Sequence, residues 1–195
     1  MAVINLQPIA GNWRSGFALD LHTTSSTYLG DNESGHPQFD TTYSELGALL
    51  HRLKYDHDQT AAPEIIATAA GFLTPQRAKF DLIIPVPPST QRAVQPVIVM
   101  ASGIGAAIGL PVISCITTTR STAQLKSITD PEKRKEALAG LHAVDAAHTK
   151  GKRVLLFDDL FRSGSTMNAI TDVLLQQGGA TTVYALTITR TRSNR

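Results

Sequence analysis

The sequence predicts an α/β fold: a parallel sheet covered by helices on both faces, with a small N-terminal hood. Three observations predict it. Runs such as Leu82-Ile83-Ile84 and Val154-Leu155-Leu156-Phe157 are apolar without polar alternation, the pattern of strands buried on both faces. These runs alternate along the chain with segments of helical spacing. The 195 residues, 42% hydrophobic and 17% charged, suit one domain with a core and a small appendage. We therefore expect a single domain over residues 1–195, its hood about 10–42 and its core about 43–195.

The elements follow in order. Residues 12–29 read as two short strands around the polar turn His22-Thr23-Thr24-Ser25-Ser26, with Phe17, Leu19 and Leu21 alternating. Residues 30–40 read as a loop. Thr42-Tyr43-Ser44-Glu45 is a capping box opening a helix on which Leu46, Leu49, Leu50 and Leu53 share a face. A second helix follows Pro63 and ends near Leu73. Residues 80–86 form a buried strand, broken by Pro87-Pro88-Ser89-Thr90, and residues 96–109 a packed helix of small apolar residues. A further strand is expected over 111–118. Residues 119–150 are polar, with a short helix capped by Asp130 and started by Pro131. A strand at 154–157, a helix at 166–177 closed by Gly178-Gly179, and a strand at 181–189 complete the domain. Open sheets of this kind bind ligands beyond the carboxyl ends of their strands.

Composition excludes several classes. No apolar run reaches the length of a membrane span, and residues 1–7 lack a secretory pattern, so a cytoplasmic location is expected. Cys115 is the one cysteine, which suits a reduced compartment and a small core residue. The net charge is +2, and cations cluster only at Arg190, Arg192 and Arg195, a solvated end; nucleic acid is not an expected partner. His51 and His57, like His142 and His148, stand six apart and lack metal spacing, so no structural zinc is expected. Gly103-Ile104-Gly105-Ala106-Ala107-Ile108-Gly109 has the wrong spacing for a dinucleotide fingerprint and falls in a helix. Trp13 and Tyr28 are expected as core residues.

The chemistry concentrates at residues 154–166. A buried strand delivers Asp158 and Asp159 to its carboxyl end. A short loop then offers Ser163, Gly164, Ser165 and Thr166 at the start of a helix. Gly164 lets backbone approach a ligand, and free amides and hydroxyls backed by a helix dipole make an anion site suited to a phosphomonoester. Carboxylates just upstream accept hydrogen bonds from sugar hydroxyls and help position a divalent cation, so the pattern points to a phosphorylated sugar.

Residues 154–166 resemble the phosphoribosyl-pyrophosphate signature of the type I phosphoribosyltransferases, with Arg162-Ser163-Gly164 where that family commonly has Thr-Thr-Gly. Ser163 keeps a hydroxyl. Arg162 stands where purine-salvage members carry an Asp used as base; it either adds positive charge beside the phosphate or lies in solvent. The chain is similar to the competence protein F (ComF-like) branch in Leu49-Leu50-His51-Arg52-Leu53-Lys54-Tyr55, in Ile83-Ile84-Pro85-Val86-Pro87 followed by Arg92, and in the spacing of Arg120, Gln124 and Arg134. The zinc module of that branch is missing, and its Arg-Gly-Phe-Asn-Gln element is eroded to Arg92-Ala93-Val94-Gln95-Pro96.

The resemblance implies a phosphoribosyltransferase in which a nitrogen nucleophile displaces pyrophosphate from phosphoribosyl pyrophosphate with Mg²⁺. Asp158 and Asp159 would hold ribose and metal, and residues 162–166 the 5′-phosphate. Ser89, Thr90, Arg92 and Arg120 would meet the pyrophosphate, Arg120 from a loop at 119–141 that closes over the reacting centre. No residue presents itself as general base, and the acceptor is not readable. A homodimer is allowed for. The rival reading is a domain that binds phosphoribosyl pyrophosphate or a nucleotide without turnover.

Overall fold

The computed structural model describes residues 1–88, 94–119 and 140–192. Its central sheet has five strands: β1 (Gln7–Pro8), β2 (Gly16–Leu21), β9 (Thr182–Arg190), β8 (Arg153–Phe161) and β5 (Leu82–Pro85), adjacent in that order. β1 runs antiparallel to β2; the other pairings are parallel. The fold is mixed α/β with a mostly parallel sheet between helices, as the apolar runs require.

Period-two alternation gives this sheet two cores. Leu155 and Phe157 of β8 join Leu19, Ile83, Leu186 and Ile188 beneath α1 (Glu45–Tyr55), α2 (Ala62–Leu73) and α3 (Pro96–Ile108). Val154 and Leu156 face the other way and pack with Ala18, Ile84 and Ala185 against Met167, Ile170 and Leu174 of α4 (Ser165–Gln176). Each Val, Leu, Ile, Met or Phe side chain so buried contributes roughly 1.5–3 kcal/mol. Strand β8 is apolar at four successive positions because both of its faces are covered.

The helices begin and end as their sequences direct. Leu46, Leu49, Leu50 and Leu53 of α1 are all buried. Pro63 and Pro96 sit in the first turns of α2 and α3, where a missing amide costs nothing. Helix α3 contains Gly103 and Gly105 and stops at Gly109, in the left-handed conformation.

Five N-terminal and central readings need correction. Residues 12–29 do not form a hairpin: β2 lies inside the main sheet beside β9, and β3 (Thr23–Asp31) pairs with β4 (Pro37–Tyr43) in a separate ribbon. Much of the expected loop at 30–40 is strand, since β3 runs to Asp31 and β4 starts at Pro37. The cap of α1 is Ser44, whose side chain accepts from the Gly47 amide, because Thr42 and Tyr43 are held in β4. Of residues 111–118, only β6 (Ile116–Thr118) is a strand. It pairs with β7 (His142–Val144), while Val112 makes a single bridge to Ile83. Tyr28 is 55% exposed on the ribbon, not in the core, whereas Trp13 is buried. The helix expected at Asp130 lies outside the described residues.

Candidate functional site

Strands β2, β9, β8 and β5 are parallel, so their carboxyl ends share one edge of the sheet. Asp158, Asp159 and the loop into α4 stand at that edge, as does His22 after β2.

The loop is shaped by Gly164, at φ 75°. A Cβ there would meet the Phe161 ring at 2.8 Å, so both the backbone conformation and the aromatic floor demand glycine. No side chain caps α4. Apart from a long contact from the Ser165 amide to Ser163 Oγ (3.5 Å), its first-turn amides can face an anion in front of a twelve-residue helix. The Ser163 and Ser165 hydroxyls lie 2.9 Å apart, and Arg162 and Ser163 are exposed. The loop is braced from behind: Trp13 meets Phe161 edge-on at 6.2 Å, and Asn12 donates its amide to Asn168 Oδ1 (2.7 Å) and its side chain to Asp172 (2.8 Å).

Alternation directs the two aspartates to opposite faces. Asp158 continues the parity of Val154 and Leu156, stands opposite Thr187 in the β8–β9 register, and accepts the Asp159 amide at 2.8 Å. Burial pushes its carboxyl up to about 8, and the Asp159 charge adds to the rise. The upward shift favours the protonated form, which can donate as well as accept. Asp159 continues the parity of Leu155 and Phe157 and meets Lys54 of α1, Nζ to Oδ2 3.0 Å, with each side chain 16% exposed.

Lys54 belongs to a group that joins α1, β4 and the end of β2. His22 shares a hydrogen bond with Thr189 Oγ1 (3.1 Å) and packs on Tyr43. Tyr43 packs on His51, and His51 on Tyr55, at centroid distances of 5.4, 4.9 and 4.9 Å. Gly47 permits this approach, because a Cβ there would run into the His22 carbonyl. Burial holds the His22 imidazole below its ordinary value; Lys54 and His51 add to that, and Asp159 opposes it. A neutral imidazole within electrostatic reach of Asp159 can accept a proton. Sequence reading missed His22, Thr189 and Lys54 as site residues. Only the Lys54-Tyr55 resemblance hinted at the last, since a lysine near a helix end ordinarily serves the helix dipole.

The resemblance implied Mg²⁺ on Asp158 and Asp159, and the described residues fit it poorly. The two carboxyls leave β8 on opposite faces, and Asp159 already holds an ammonium. A divalent ion about 4 Å from that ammonium would be opposed by roughly 8 kcal/mol at the effective dielectric of a partly buried site. Among the described residues no three His, Cys, Asp or Glu side chains gather to hold a metal. Ser89, Thr90, Arg92 and Arg120 lie outside the described residues.

No protein-family model and no curated protein matches the chain. Solved structures do. The allosteric regulatory enzyme of purine biosynthesis is 20% identical, with a TM-score of 0.44 over 76% of this chain and 28% of its own. Glutamine phosphoribosylpyrophosphate amidotransferase from B. subtilis is 17% identical, TM-score 0.46, over 80% of this chain and 34% of its own. Adenine phosphoribosyltransferase from Thermoanaerobacter pseudethanolicus is 13% identical, TM-score 0.45, over 85% of this chain and 95% of its own. The chain thus spans 28% and 34% of the lengths of the first two. The likeness is one of fold, and no residue role is taken from it. Among the described residues no helix is long and apolar enough to cross a membrane.

Proposed function

We propose that the chain binds a 5′-phosphorylated ribose, with phosphoribosyl pyrophosphate as its substrate, and transfers the phosphoribosyl group to a nitrogen nucleophile. One observation carries the reading. An uncapped helix start behind the left-handed Gly164, itself six residues after the half-buried Asp158 carboxyl, opens at the carboxyl edge of the sheet. A phosphomonoester suits the amides of residues 165–167 with the Ser163, Ser165 and Thr166 hydroxyls. Asp158, able to donate and accept, and Asp159, an acceptor, suit the ribose hydroxyls.

In such a transfer the bond from C1 to pyrophosphate breaks as the nitrogen bonds to C1, through a centre with carbocation character. This chain's residues would act by positioning: the loop anchors one end of the sugar, and Asp158 and Asp159 fix its ring. His22 is available to take the nucleophile's proton. Ser89, Thr90, Arg92 and Arg120 remain the proposed contacts to pyrophosphate. Mg²⁺ enters this reading only as a companion of the ligand's own pyrophosphate.

The test is calorimetry with phosphoribosyl pyrophosphate and with ribose 5-phosphate, followed by pyrophosphate release across a panel of bases and amines. Binding that disappears in Gly164→Val, together with turnover on one acceptor, is the expected result. Tight binding with no turnover on any acceptor would leave the non-catalytic sensor. That alternative is favoured by Arg162 in place of an acidic residue. No binding of either ligand would end the proposal.

A further inference from the structure

Two cations near the end of α1 behave differently. Arg52 turns outward and pairs on the surface with Asp58, the exposed arrangement common for a helix end. Lys54, two residues on, turns inward to a strand-end carboxylate, its side chain 16% exposed. Interaction with the helix dipole alone would leave the ammonium beside the last carbonyls of α1. The ammonium instead reaches across to the edge of the sheet where the phosphate loop opens, and it is close enough to His22 to depress its protonation. It has three donors and spends one on Asp159.

From this geometry we infer that Lys54 is the resident cation of the site: its ammonium occupies Asp159 in place of a divalent metal and offers its remaining donors to the sugar phosphate, so that ribose-phosphate binding is independent of Mg²⁺. This rests on the ribose-phosphate reading of the site. The charges agree with it. Lys54 and Asp159 together contribute no net charge, so a phosphorylated sugar meets no uncompensated repulsion from that carboxylate. The hydroxyls it presents still find an oxygen acceptor on Asp159 and N–H donors on Lys54. A lysine is also a permanent part of the chain, whereas a magnesium ion would have to be recruited with each ligand.

Calorimetry of the full chain with ribose 5-phosphate tests this. The monoester is preferred to phosphoribosyl pyrophosphate because a pyrophosphate chelates Mg²⁺ by itself and would hide the effect. Wild type should bind equally, within about threefold, in EDTA and in excess Mg²⁺. Lys54→Met should lose about ten- to a hundredfold in EDTA, the worth of one hydrogen bond to a charged group. It should recover part of that in Mg²⁺, because Asp159 is then free to take a metal. The paired variant Lys54→Met with Asp159→Asn leaves no buried charge unpartnered. It should lose ribose 5-phosphate affinity in either medium yet keep inorganic phosphate binding, which reports an intact loop and fold. An Mg²⁺ enhancement of about tenfold or more in wild type, or Lys54→Met matching wild type in EDTA, would overturn the inference while leaving the ribose-phosphate reading standing. Absence of ribose 5-phosphate binding to wild type in both media would overturn the two together.

Discussion

Phe161 lies directly beneath Gly164, so close that a Cβ on the glycine would stand 2.8 Å from the ring. The ring is itself held by Trp13 from the N-terminal segment and lies under the Arg190 guanidinium, 5.9 Å from its centroid. The Gly164 loop and the hydrophobic core are therefore one construction.

Gly164→Ala consequently acts on stability as well as on ligand. The left-handed backbone costs a non-glycine residue about 1–2 kcal/mol, and the methyl must also displace Phe161. A lowered unfolding midpoint in urea together with weakened inorganic phosphate binding is expected. Phe161→Leu in the Gly164→Ala background should restore part of both by making room. No recovery in the double variant would show that the ring is not the obstacle.

Lys54 and Asp159 should be strongly coupled in stability. Either single neutralisation strands a charge in a mostly enclosed position, whereas removing both leaves none. Lys54→Met and Asp159→Asn should each destabilise the fold by more than the double variant does. Denaturant unfolding of the four proteins in a double-mutant cycle measures this directly, and simple additivity would contradict it.

His142 should make the domain sensitive to mild acid. It is buried on β7, neither ring nitrogen has a hydrogen-bond partner among the described residues, and burial lowers its pKa below the ordinary 6.5. The folded state then binds the proton less readily than the unfolded chain. The stability at stake is fully present above about 6.5 and is lost as pH falls through the lowered folded value. His142→Leu should flatten the dependence of melting temperature on pH between about 7 and 5, and it should raise stability at the acid end. An unchanged slope in His142→Leu would assign the acid sensitivity elsewhere.

Thr187 stands across from Asp158 in the β8–β9 pairing, fully buried, with no partner for its hydroxyl among the described residues. An unpaired buried hydroxyl costs about 1–3 kcal/mol. Thr187→Val, nearly the same shape, should therefore be neutral or stabilising in the free protein. Weaker ribose 5-phosphate binding in that variant, at unchanged phosphate binding, would indicate that the hydroxyl is reserved for the sugar. A loss of stability would mean that it is already satisfied.

The segment from β8 into α4 was legible because its cues are local: an uninterrupted apolar run, two acids, then small hydroxyl residues and a glycine before helical spacing. Lys54 and His22 were not legible as site residues. Lys54 is 105 positions from Asp159 and His22 is 167 from Thr189, and local periodicity carries no information about which distant ends meet. The N-terminal error has the same origin. Phe17, Leu19 and Leu21 alternate as a strand should, but alternation does not name the neighbour, and β2 pairs with β9 at the far end of the chain rather than with β3.

By itself the sequence determined the α/β class, the order of most elements and the position of the Gly164 loop, since propensity, capping and burial pattern act within a few residues. Tertiary structure alone decided that the adjacent aspartates part company. The pleat of β8 turns Asp158 toward one face of the sheet, where it is half-buried, and Asp159 toward α1, where it pairs with Lys54. That outcome depends on which helix covers which face of the sheet, a matter settled by the burial of two cores at once.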